Sequence, residues 1–185
     1  MKNIIILLLS VSIFFCPLNA EEEKSYLKTR DAISMNVKKY FEAASKEDIQ
    51  FAENFYADNV EVYINDLIIK GKKNYITRLN KIHKELIKDM KFENLHIHTN
   101  YFSSEALASD GKTFGEENPN EDTIWTNVWG TLKGVGRSSN KQISFRIHMD
   151  FRTVNGKVVE MLAYYDPTQM NEEIKVLEAS TTKEH

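Results

Sequence analysis

An α+β domain is what this sequence predicts, with its helices first and most of its strands last. Apolar residues recur at helical spacing up to about Leu86, and after Asp89 the spacing drops to two. Asn155-Gly156 then gives a tight hairpin signal between two alternating runs. Helices gathered before most of the strands argue against repeated βαβ units. No internal repeat or interdomain linker interrupts the chain, so residues 21–185 are expected to form one domain, with a core over about 26–170.

The first twenty residues stand apart. Lys2, the apolar run IIILLLSVSIFF and PLNA before EEEK read as a secretory signal cleaved after Ala20. The mature protein is thus expected in the periplasm or outside the cell, with no membrane segment after cleavage. The apolar run is shorter than a membrane span requires. Cys16 follows IFF, not the small residues of a lipoprotein junction, and it is the sole cysteine. Cleavage would remove it, leaving no disulfide, thiolate metal site or cysteine nucleophile. Loss of Lys2 makes the formal charge one unit more negative than the −3 of the whole chain. A mildly acidic chain with both signs interspersed makes nucleic acid an unsuitable partner.

From about Tyr26 to Ala44 the residues Ile33, Val37, Tyr40, Phe41 and Ala44 predict a first helix. Ser45 is expected to cap a short second one carrying Ile49, Ala52, Phe55 and Tyr56. NVEVYIN, which contains Tyr63, has the β-branched content of a strand. Gly71 precedes a third helix with Tyr75, Leu79, Ile82 and Leu86 on one stripe; His83 beside them is expected to be exposed. KFENLHIHTNYF reads as a strand, and residues 103–123 as a long polar excursion. TIWTNVWGTLKG is a strand whose Gly130 permits a bulge or bend. GRSSNK and VNGK close the hairpins of a curved antiparallel sheet.

A curved sheet packed on helices leaves a hollow suited to a small ligand. In FRIHMDF, Phe145, Ile147, Met149 and Phe151 alternate with Ser144, Arg146, His148 and Asp150. Trp125, Asn127 and Trp129 share one face of their strand in the same way. His148 is the candidate proton donor or acceptor, because imidazole titrates near neutrality, and Asp150 could fix its tautomer or act as a carboxylate. Alternation does not itself say which face is inside. His96 and His98 form an HxH pair that suits two metal-ligating nitrogens, but a third ligand would need strand adjacency that spacing does not give. No metal and no cofactor is assigned: P-loop, GxSxG, HExxH and CxxC motifs are all missing from the sequence.

FAENFYADNVEVYIND, WTNVWGTLKGVG and FRIHMDFRTVNGKVVEMLAYYD carry a resemblance that extends over most of Tyr26–Met170. In these stretches the chain resembles the SnoaL-like group of the nuclear-transport-factor-2-like superfamily, which also holds the ketosteroid isomerases. The resemblance implies an α+β cone around a pocket, often assembled as a homodimer. Counted back from Gly156, His148 falls where ketosteroid isomerases carry the acid of their oxyanion hole. Met161, Ala163 and Tyr165 fall at pocket-lining positions. Arg146, His148 and Asp150 would then look inward with Tyr63, Trp125, Asn127 and Trp129, and Phe145, Ile147, Met149 and Phe151 would form an outer dimer face. The isomerases' carboxylate base maps to Ile64, a departure that argues against steroid isomerisation; Asp66 lies two residues further on. Tyr40 or Tyr56 could supply a tyrosine donor. The implied function is to bind a small, largely apolar or aromatic molecule, with proton-transfer chemistry of an isomerase, cyclase or hydratase kind. A non-catalytic binding domain and an accessory assembly module are the alternatives.

Overall fold

The structure, a computed structural model, describes residues 27–101 and 124–181. The signal segment and the 103–123 excursion lie outside the described residues. In chain order the elements are β1 (Leu27–Lys28), α1 (Ala32–Ala44), α2 (Ile49–Phe55), β2 (Tyr56–Ile64), β3 (Leu67–Lys70) and α3 (Lys72–Lys81). A π-helical turn (Ile82–Leu86) leads into β4 (Ile87–Asn100), β5 (Trp125–Gly136), β6 (Gln142–Val154), β7 (Lys157–Tyr165) and α4 (Thr168–Thr181).

Local chemistry sets the helix ends. The Asp31 carboxylate accepts from the backbone N–H groups of Ile33 and Ser34, so α1 starts at Ala32 and not near Tyr26. Ser45 closes α1, with its hydroxyl bonded back to the Phe41 carbonyl. It does not cap α2; Asp48 does, accepting from Phe51 N–H at 3.1 Å. Gly71, at φ +84°, starts α3 in a backbone conformation that side chains disfavour.

The sheet runs β1-β4-β5-β6-β7-β2-β3. Every neighbouring pair is antiparallel except β2 with β7, which run parallel. The four long strands read from the sequence are its centre. The short strands β1 and β3 and the terminal helix α4 were not legible beforehand. Asn155 (φ 49°) and Gly156 (φ 73°) make the β6–β7 hairpin turn as their residue types require.

Strand β4 bends twice. Asp89 and Asn94 adopt positive φ, and the β4–β5 register shifts beside each. The second bulge reverses the facing of the strand. Phe92 packs on the core before it, and Leu95 and Ile97 pack on the core after it. Gly130 lies opposite this bulge, where an added Cβ would sit 2.8 Å from Leu95 Cδ2.

The core fills the space between the helices and the concave face of the sheet. Tyr40 stacks on Phe55 with centroids 4.7 Å apart, and Phe151 packs edge-on against Tyr40, Phe41 and Phe55. Burial of each large side chain contributes roughly 1.5–3 kcal/mol, so this cluster anchors α1 and α2 on β6. Among the described residues no helix is long and apolar enough to cross a membrane.

Candidate functional site

Beyond the aromatic cluster the sheet and helices diverge around a cavity of about 90 Å³. Tyr40, Phe41 and Ala44 of α1 line it with Tyr75, Arg78 and Leu79 of α3. The sheet contributes Phe145, Ile147 and Met149 from β6 and Met161, Ala163 and Tyr165 from β7. Met90 and Met170 complete a group of four methionines, out of six in the chain. The free volume is small beside the roughly 300 Å³ and upward of ordinary ligand sites. Unbranched thioether side chains can repack around an incoming molecule at modest cost, which fits a site that widens on binding.

The polar groups of this apolar space are few. Tyr40 and Tyr75 bring their hydroxyls to 3.5 Å, and Tyr56 donates to Met161 Sδ at 3.4 Å. Burial pushes all three phenols above their ordinary range, so they remain protonated donors at neutral pH. Among the described residues, Arg78 Nε and His83 Nδ1 are buried with no hydrogen-bond partner. His83 is 2% exposed. Burial lowers its pKa; Glu47 opposes that shift, and Arg137 adds to it.

The π-helical turn positions this histidine. Its wider winding closes with Ile87 N–H donating to the Ile82 carbonyl, five residues back. Arg137, from the β5–β6 turn, donates through Nε to the His83 carbonyl at 2.8 Å and through its backbone N–H to that of Leu86 at 2.9 Å. The β5–β6 turn is itself held by buried Glu173 of α4, which accepts from Ser138 N–H at 2.7 Å. One chain of hydrogen bonds thus joins α4, the hairpin and the turn that carries His83.

No protein-family model matches the chain, and no curated protein matches it significantly. Solved structures do. A candidate polyketide cyclase from Xanthomonas campestris pv. campestris superposes with a TM-score of 0.58 at 13% identity, covering 80% of this chain and 99% of that one. A candidate SnoaL-like polyketide cyclase from Shewanella putrefaciens CN-32 gives 0.55 at 13% identity, covering 78% and 97%. A candidate isomerase from Bacillus subtilis gives 0.57 at 12% identity, covering 78% and 93%. The fold is SnoaL-like. Its architecture is a nuclear-transport-factor-2-like cone, the fold that the resemblance in the sequence implied.

Within this SnoaL-like cone the facing of β6 is the reverse of that expected. Phe145, Ile147, Met149 and Phe151 point into the cone and do not form an outer face; Phe151 is fully buried. His148, Asp150 and Arg146 lie on the side turned away from the helices, as do Trp125, Asn127 and Trp129 on β5. Burial decides the matter, because four large apolar side chains gain more from the interior than a set containing an arginine and an aspartate. Tyr63 is also outside the cavity, donating to Glu61 at 2.6 Å. Asp66 is exposed in the β2–β3 turn. Met161, Ala163 and Tyr165 line the cavity.

On the outer face these side chains form a ladder. Trp129 is sandwiched between His98 and His148, with centroid distances of 5.1 Å on both sides. Tyr164 continues the row beside His148. Asp150 accepts from Asn127, and His148 Nε2 approaches Asp150 Oδ1 to 3.1 Å at an angle outside the hydrogen-bond range. Trp129 remains 44% exposed and Tyr164 49%. Among the described residues no three of His, Cys, Asp and Glu converge as metal ligands, His96 and His98 included.

Sequence reasoning missed His83. A signal existed: Tyr75, Leu79 and His83 are spaced four apart, which places the histidine on the buried stripe of the helix.

Proposed function

We propose that this chain binds a small, largely apolar molecule inside the cone and acts on it by proton transfer. The observation that carries this reading is the apolar cavity between the helices and the concave sheet face, with a few buried polar groups in its lining. Neutral phenols such as Tyr40 and Tyr75 can donate to a developing oxyanion. The lining histidine, His83, whose pKa is lowered by burial, can accept a proton near neutrality. The polyketide-cyclase and isomerase descriptions of the structural neighbours support an enzyme of the isomerase, cyclase or hydratase kind.

Mass spectrometry of small molecules released from the natively purified protein tests the reading. The expected result is one apolar species, recovered in stoichiometric amount and lost when Ala163→Trp fills the cavity. Equal recovery from a folded Ala163→Trp protein would place the ligand elsewhere.

Two further parts of the proposal concern the protein's setting. Export with cleavage after Ala20 is supported by Lys2, the apolar run and the LNA junction. Sequencing of the native protein should begin at Glu21; a soluble cytoplasmic form beginning at Met1 would refute export. Homodimerisation through the outer sheet face is supported by the exposed ladder of Trp129, His98, His148 and Tyr164, which replaces the Phe145 set as the contact surface.

A further inference from the structure

Arg78 and His83 both leave a buried nitrogen without a protein partner, and both line the same cavity. Buried polar atoms are nearly always paired, and an unpaired one is costly, the more so on a charged group. Among the described residues lining the cavity Arg78 is the only charged one, and none is acidic. The remainder of the lining is aliphatic, aromatic or thioether, apart from the hydroxyls of Tyr40, Tyr75 and Tyr165.

We infer that Arg78 and His83 form an anion-binding pole, and that the molecule taken into the cone is an apolar monocarboxylate. A carboxylate offers acceptors to both nitrogens at once, answering the guanidinium Nε directly and the imidazole Nδ1 in its protonated tautomer. The hydrocarbon body then lies along Leu79, Ile147, Met149 and Met161, whose side chains are all apolar. A neutral analogue of the same shape fills the apolar part and leaves the guanidinium unanswered. The pole therefore sets specificity, and the apolar wall supplies much of the affinity. Four methionines let chains of different length fit behind one fixed headgroup.

This inference rests on the cavity being the ligand site, so its test separates the two. Octanoate and 4-phenylbutyrate are titrated against the purified protein by calorimetry, alongside 1-octanol and 4-phenylbutanol. The expected result is a preference of about tenfold or more for each acid over its alcohol, the usual scale for a hydrogen bond to a charged group. Arg78→Gln and His83→Gln should each weaken acid binding more than alcohol binding and bring that preference to near unity. His83→Asn keeps a polar atom near the position of Nδ1 and should retain part of the preference, which guards against misreading a folding defect. Equal affinity for acids and alcohols in the wild type would overturn the anion pole and leave the cavity as the binding site. Failure of all four probes to bind would overturn both.

Discussion

Arg137 Nε donates to the carbonyl oxygen of His83 at 2.8 Å, so a hairpin turn at one end of the sheet fixes the helical turn beside the cavity. The same guanidinium reaches Glu47 at 3.2 Å, near the end of α1. Three separate elements therefore meet at one side chain.

Arg137→Ala should cost about 1.5–3 kcal/mol, the range for hydrogen bonds to charged groups. Arg137→Lys should recover only part of it, because an ammonium cannot reproduce the planar fork. Urea denaturation midpoints of the two variants check this. A midpoint for Arg137→Ala equal to wild type would show that the turn holds without it.

Stability should fall as the solution is acidified from neutral. Burial holds the His83 pKa below its ordinary value of 6.5. Above that value both folded and unfolded chains carry neutral imidazole, and its contribution is complete. As pH drops through 6.5 the unfolded chain takes up a proton first, so stability declines until the folded-state pKa is passed. His98, lowered by burial and by His96, acts in the same direction. Melting curves between pH 7.5 and 5.5 should show a shallower decline in His83→Gln than in wild type. Parallel declines would mean that His83 is not kept neutral by the fold.

Wild-type protein at tens of micromolar should sediment as a dimer, and Trp129→Lys as a folded monomer. The substitution places a charge at the centre of the outer ladder, where Trp129 stands between two histidines. Sedimentation velocity decides it. A wild type that sediments only as a monomer would end the dimer proposal.

Gly130→Ala should destabilise by about 1–3 kcal/mol, the usual cost of forcing atoms into a packed site. The new Cβ would stand 2.8 Å from Leu95 Cδ2 and 3.2 Å from the Glu93 carbonyl. Pairing it with Leu95→Ala should relieve the first contact but not the second. Thermal melts of the single and double variants measure how much of the penalty is side-chain crowding.

Local signals were legible in the sequence and relational ones were not. Asn155-Gly156 specifies its turn from two residues alone, and the hairpin follows. The facing of β6 depends on what lies across the sheet, and both of its alternating sets hold large side chains. Asn94 hides a phase reversal that period-two counting across β4 cannot detect, since asparagine in the left-handed region leaves no mark on hydrophobicity. His83 was judged by its neighbour Ile82 and not by its four-residue spacing from Leu79. Glu173 was invisible for a different reason: its burial is made tolerable by Ser138 and Ser139 on a distant turn.

The parallel pairing of β2 with β7 bears on when the protein can fold. Strand β7 separates β6 from β2, and Asn65 Nδ2 donates to the Tyr165 carbonyl across one hundred positions of sequence. Strands β2 and β3 leave the ribosome early but have no place in the sheet until β7 has been made. Pairings over such distances are slow to form, because the intervening chain must first lose its freedom. The sheet therefore cannot be completed until nearly all of the chain has been made. A chain released before β7 is complete would leave one edge of β6 and one edge of β2 unpaired, two open edges on which another strand could add.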